Sequence, residues 1–191
     1  MPSAQPAVPL TWPLTDERPA SGVRAASGAT RRVLLAGVGY RDLRDFSVGP
    51  VLVERLRRQA WPPGVEVEDL SSGAVHVLHW LQAQPPFDAA VFVAAVERGR
   101  EPGCVHAYAW TAPTDTAEGV QQRIAEAVTG VIGLDTLLVV LGYFGALPPR
   151  VSVIEVEPRD EAWGESFSPP VEAALDEVSR LVRRQVEALV A

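Results

Sequence analysis

Two hydrophobic periods alternate along this chain, and the change from one to the other marks strands and helices. Residues 1–30 show neither: they are rich in Pro, Ala, Ser and Gly with scattered charge, too poor in apolar pattern to offset their ordering entropy. They are predicted to form a mobile tail ahead of a single domain over residues 31–191. That domain opens with the unbroken apolar run Val33-Leu34-Leu35-Ala36-Gly37-Val38, the pattern of a strand buried on both faces, and Gly39 ends it. Val48, Leu52, Val53 and Leu56 then recur at helical spacing, with Ser47 as N-cap, and predict a helix over about 49–59 that stops at Trp61-Pro62-Pro63-Gly64.

Strand and helix patterns continue in alternation. Val65 to Leu70 places Val65 and Val67 between Glu66 and Glu68, a half-buried strand, and a short helix over about 74–82 follows the Ser71-Ser72-Gly73 turn. Ala89 to Val96 is apolar on both faces and therefore central, and Cys104 to Trp110 makes a fourth strand after Glu101-Pro102-Gly103. Helical patterns occupy about 117–127 and 134–144, and Val151 to Val156 is a fifth strand. Pro169 suits the first turn of a last helix to about Leu189, with Val171, Ala174, Leu175, Val178, Leu181 and Val182 along one stripe.

This order predicts an α/β domain, a three-layer αβα sandwich with a largely parallel five-stranded sheet and helices on both faces, in the manner of phosphorylase- and hydrolase-like folds. Ligands of such sheets bind beyond the strand carboxyl ends. Here those are the loops after Val38, Leu70, Val96 and Val156.

Composition narrows the partners. The formal charge of −7 is spread along the chain without a Lys/Arg cluster, which argues against nucleic acid and membrane surfaces and favours a protein or small molecule. One cysteine forbids an internal disulfide and three histidines are too few for a Cys/His zinc framework, so a cytoplasmic location is expected. The run from Val33 to Val38 after Arg31-Arg32 is interrupted by Gly37 and Gly39 and lacks a cleavage site, so it does not read as an export signal. No apolar stretch reaches the roughly 18–20 residues that a membrane-spanning helix needs.

The first loop begins Gly37-Val38-Gly39, but a dinucleotide fingerprint would need glycine at Asp42 and a helix opening there, and Ser47 caps the helix later. Gly37, Gly39, Asp45 and Gly49 instead match the opening G-x-G-N-x-L-x-x-D-[DE]-x-x-G of another group. Asp69-Leu70-Ser71-Ser72-Gly73 is similar to its acidic strand end and small-residue loop. Val93-Ala94-Ala95-Val96 stands where that group reads V-D-A-x, trailed by Gly99 and Glu101-Pro102-Gly103. Val153-Ile154-Glu155-Val156-Glu157-Pro158 and Ser168-Pro169-Pro170-Val171-Glu172-Ala173-Ala174 match its last strand and helix start. In order and spacing, from about residue 32 to the C-terminus, the chain resembles the hydrogenase maturation peptidases.

The resemblance implies a partner, the immature large subunit of a nickel-iron hydrogenase, whose C-terminal extension such peptidases remove once nickel is in place. Two carboxylates and a histidine of the peptidase reach that nickel, a donor set suited to a divalent first-row metal. Carried over, those positions hold Phe46, Ala94 and Gly130, none of which offers a lone pair. The implied substrate crevice comprises Gly39, Asp45, Phe46, Asp69, Ser71, Ser72, Gly73, Ala94 and Gly130, with no metal ligand and no cofactor. Asp45 and Asp69 are the candidate catalytic carboxylates, an acid/base pair across the crevice or, equally, caps of nearby turns.

Other residues are weighed beside these. His76 and His79, at i and i+3, with His106 could rebuild a metal site or lie as surface histidines, and Glu97 reads as a solvated carboxylate or a displaced ligand. Cys104 is expected to be a buried structural cysteine rather than a nucleophile, since no histidine is placed to activate it. The five tryptophans are expected to be packing residues, and Trp163, in the loop from Pro158 to Ser168, is the one placed to touch a partner. The expectation is therefore a hydrogenase maturation factor of peptidase fold that binds the large subunit as a pseudo-peptidase. The alternative is an endopeptidase still removing the C-terminal extension through Asp45 or Asp69.

Overall fold

A computed structural model describes residues 30–112, 117–128 and 132–191. The predicted tail therefore lies almost wholly outside the described residues, as does Gly130. In chain order the elements are β1 (Val33–Val38), a 3-10 turn (Arg44–Ser47), α1 (Val48–Arg57), β2 (Val65–Asp69), α2 (Ala74–Ala83), β3 (Ala89–Ala95), β4 (Val105–Ala109), α3 (Ala117–Val128), α4 (Leu134–Tyr143), β5 (Val151–Val156) and α5 (Pro169–Val190). Among the described residues, no helix is long and apolar enough to cross a membrane.

The strands form one sheet in the order β2-β1-β3-β5-β4. β1 runs parallel to β2 and β3, β3 runs parallel to β5, and β4 alone is antiparallel. Chain length explains the exception. A parallel return needs a crossover of a dozen or more residues, whereas residues 96–104 only turn over the end of β5, so β4 starts at the end where β3 finished. Val105 accordingly pairs with Val156.

Burial follows the apolar pattern. Every residue of β1 and β3 is buried, as central strands require, while the edge strands β2 and β4 are half-buried. Leu34, Ala36, Phe92 and Val153 face a core closed by α2 and α4, with Ile124 of α3 packed against it. Leu35, Val91, Val93 and Ile154 face the opposite core under α1 and α5. The two cores show the expected three layers.

Two contacts fix the carboxyl end of β1. Gly37 and Gly49 bring α1 against the strand so closely that a Cβ on Gly49 would run into the Val38 carbonyl, and one on Gly37 into the Gly49 carbonyl. Asp45, fully buried, then ties the loop after β1 to the loop after β5. Its carboxylate accepts the N–H groups of Arg159 (2.9 Å), Asp160 (3.0 Å) and Ser168 (2.7 Å) and the Ser168 hydroxyl (2.7 Å). The Ser47 side chain does not cap α1 as expected. It turns back and accepts the Leu43 N–H at 2.9 Å, closing the 3-10 turn that carries Asp45.

Gly49→Ala is expected to lower unfolding free energy by at least the about 1–3 kcal/mol of an overpacked core, read from urea denaturation. Asp45→Ala strands buried donors at about 1–3 kcal/mol each, so a loss of at least about 3 kcal/mol is expected in the same measurement. An unchanged midpoint for Asp45→Ala would show that water satisfies those donors.

Candidate functional site

The strand order reverses at β1, with β2 on one side and β3 on the other, and an open α/β sheet leaves a crevice at such a point. Gly39, Tyr40 and Arg41 from the loop after β1, Asp69, Ser71 and Ser72 from the loop after β2, and Ile132 ahead of α4 line a hollow of about 400 Å³ there. Tyr40 bridges its walls: its hydroxyl accepts the Ile132 N–H at 2.9 Å.

The floor of this crevice is a compensated charge. Arg41 reaches Asp69 at 2.6 Å and Glu54 at 3.0 Å, and the other Asp69 oxygen accepts the Ser71 N–H at 3.0 Å in an Asx turn. Glu54 first, and then Asp69, hold the Arg41 guanidinium above its ordinary range. Asp69 is thus a carboxylate with both oxygens engaged. The buried Ser71 hydroxyl has no hydrogen-bond partner among the described residues.

Other positions expected at the crevice are arranged differently. Asp45 is sealed between two loops, so it and Asp69 do not face each other as an acid/base pair. Gly73 serves as N-cap of α2, and Phe46 is half-buried with its carbonyl accepting the Tyr40 N–H. Ala94 is buried, near the end of β3. Tyr40, Arg41 and Ile132 were not expected there. Only the position of Tyr40-Arg41 directly after the Gly37-x-Gly39 turn, at a strand carboxyl end, hinted at it.

Beside Ala94 lies a buried ion-paired cluster. Ala94 is in register with Glu155 of β5, whose fully buried carboxylate receives Arg98 at 2.6 Å, Arg100 at 3.1 Å and the Tyr108 hydroxyl at 2.8 Å. Arg98 also grips Asp135 at the start of α4 with two bonds of 2.7 Å, a bidentate fork. Glu157, buried as well, accepts the Arg98 and Gly99 N–H groups and so orients the segment that carries the guanidinium. Its bonds to Asp135, and then to Glu155, outweigh burial and hold Arg98 above its ordinary range. Burial, followed by the Glu155 charge, pushes Tyr108 up.

This arrangement does not suit a metal. Ala94 offers a methyl group, and the lone pairs of neighbouring Glu155 are taken by two guanidinium groups and a phenol. Among the described residues no group of three His, Cys, Asp or Glu side chains could hold an ion. His76 and His79 are exposed on α2, and His106 stacks on Tyr108 at 5.5 Å between ring centres. Glu97 is exposed. Cys104, expected to be buried, is exposed, because it sits in the turn over β5 rather than in the strand.

Tyr108 gives this cluster a pH signature. Its folded pKa is raised above its ordinary 10.0, so the folded protein keeps a proton that the unfolded chain releases. Stability from the cluster is complete below pH 10 and falls as pH rises beyond it. Chemical denaturation between pH 9 and pH 11 is expected to show this decline, and Tyr108→Phe to flatten it. Equal slopes in both proteins would place the alkaline loss elsewhere.

No family model matches the chain, and neither does any curated protein by sequence. Solved structures do. The chain is similar to a hydrogenase 2 maturation peptidase from Thaumarchaeota archaeon SCGC_AB-539-E09, with 26% identity, a TM-score of 0.58, and coverage of 82% of this chain and 98% of that one. The [NiFe] hydrogenase maturation protease HycI from Thermococcus kodakarensis KOD1 is 19% identical, with a TM-score of 0.56 over 84% of this chain and 95% of its own. The hydrogenase maturating endopeptidase HybD from E. coli is 23% identical, with a TM-score of 0.54 over 81% and 93%. The chain is thus similar to the hydrogenase maturation peptidases and has their fold.

Proposed function

We propose that this protein is a nickel-iron hydrogenase maturation factor that binds the hydrogenase large subunit, or its C-terminal region, as a pseudo-peptidase during assembly. The observation that carries this reading is the Ala94–Glu155 pair. Where the resemblance calls for a carboxylate open to the substrate's nickel, this chain has a buried methyl group beside an ion-paired network. Phe46 at the second such position likewise has no lone pair on its side chain. A substrate recognised without its metal must be recognised as protein, through the crevice of Tyr40, Arg41, Asp69 and Ser72 and the loops around it.

Asp69 favours a second reading, since it alone of the two candidate carboxylates lines the crevice. In that reading the chain remains an endopeptidase that trims the large subunit without metal recognition. Release of Arg41 would free the carboxylate to act on a water molecule.

The chain, tagged and purified from its native host, is expected to bring down a hydrogenase large subunit. The intact mass of that subunit is expected to stay unchanged on incubation with the purified chain. Absence of any hydrogenase subunit would overturn the maturation reading. Loss of the C-terminal extension with the wild type but not with Asp69→Asn would establish the endopeptidase.

A further inference from the structure

Trp163 lies in the loop after β5 and is 80% exposed, more than any other large apolar residue among those described. Tyr143 and Phe144, the next most exposed, rest on each other edge to face, and Trp61 lies under Arg183. Tryptophan is among the residues enriched where binding energy concentrates, because its large ring combines apolar area with a polar edge.

The loop holding it is locked on both sides. Gly164, its neighbour, accepts the Arg44 N–H at 2.9 Å and donates to the Asp42 carbonyl at 2.9 Å. Upstream, Arg159 and Asp160 donate to Asp45, while Asp160 pairs with Arg44 at 2.7 Å; downstream, Ser168 returns to the same Asp45 carboxylate. The clamp itself is strained. Asp42 and Arg44 adopt positive φ of 59° and 35°, and among the described residues the buried Arg44 Nε has no hydrogen-bond partner. Strain of this kind persists only where surrounding structure enforces it, and it gathers at binding sites. The indole is therefore presented with its loop already ordered, which removes an entropic cost from association.

Charge defines what the indole fits. Glu161 and Glu165 flank Trp163 and are exposed, and exposed Asp42 joins Gly164 through its carbonyl. Asp160 is held below the usual carboxylate range by the Ala162 N–H and then by Arg44, so its charge persists in mild acid. From these observations we infer that Trp163 with Glu161 and Glu165 is a docking surface for a basic segment of a partner protein, whose arginine or lysine lies over the indole face. A cation over that ring would be drawn by the ring quadrupole, and the exposed carboxylates two residues to either side outnumber the one exposed cation of the loop, Arg159. The inference rests on the proposed role in binding a partner protein, and it names the chemistry of the partner's segment.

The indole N–H signals of the five tryptophans of the full chain can be followed by NMR, with Trp163→Phe assigning that of Trp163. A hexapeptide alternating arginine and leucine is expected to move the Trp163 signal, more weakly at high salt and in Glu161→Gln/Glu165→Gln. The same peptide built on glutamate is expected to leave it in place. No movement at millimolar peptide, or equal movement with both, would overturn the inference. In the capture experiment, Trp163→Ala is expected to weaken large-subunit binding about tenfold or more. Equal capture by wild type and Trp163→Ala overturns the surface and leaves the maturation reading standing. A Trp163 signal moved only by the arginine peptide, in a chain that captures no subunit, keeps the surface and removes that reading.

Discussion

One buried carboxylate holds the carboxyl end of this molecule in shape. Asp45 is fully buried, and four donors from the loop after β5 compensate its loss of water. A buried charge survives only when it is satisfied in this way, because water would otherwise win it back. The same bonds fix the start of α5 through Ser168 and the course of the 158–168 loop. With Gly49 pressed against Val38, they leave the first loop no freedom to collapse onto the sheet. Both the crevice and the exposed indole depend on this arrangement.

The second constraint is the ion-paired group around Glu155. A carboxylate, two guanidinium groups and a phenol are mutually satisfied beside Ala94, and Asp135 extends the set to the start of α4. Removing one member of such a network leaves an uncompensated buried charge, so its members stand or fall together. Its chemistry is opposite to that of an open metal site, where lone pairs face a vacancy. The fold is shared with the hydrogenase maturation peptidases. The proposed departure from their chemistry lies in a few side chains at strand ends, as expected when function is grafted onto a scaffold.

Crevice and indole lie at the same end of the sheet. The loops after β1 and β2 build the first, and the loop after β5 carries the second. The first loop serves both, since Tyr40 and Arg41 line the hollow while Asp42 and Arg44 clamp Gly164. A partner that spans these loops would meet Arg41 with its two carboxylates in the crevice and an acid-flanked tryptophan beyond it. This arrangement offers recognition by charge and shape.

Much of the fold was legible in the chain. The unbroken apolar runs of β1 and β3 could only be central strands, and of the stripe read along α5 all but the half-buried Leu181 lie on its buried face. Helix ends fell within two residues of expectation, because Gly, Pro and Ser mark them locally. The antiparallel direction of β4 was not read from the chain although the shortness of the 96–104 segment explains it, and the exposure of Cys104 depended on where that segment turns. Asp45 and Asp69 read alike as loop carboxylates after strand ends, yet one is sealed beneath Ser168 and the other opens to solvent beside Arg41. Hydrophobic period and turn residues act between near neighbours in sequence, so strands, helices and their order were determined by the chain itself. The partners of Asp45, Glu155 and Arg41 lie 28 or more residues away or come from separate elements. Only the packed sheet could decide which charges meet, because pairing depends on distance in space that no local pattern encodes.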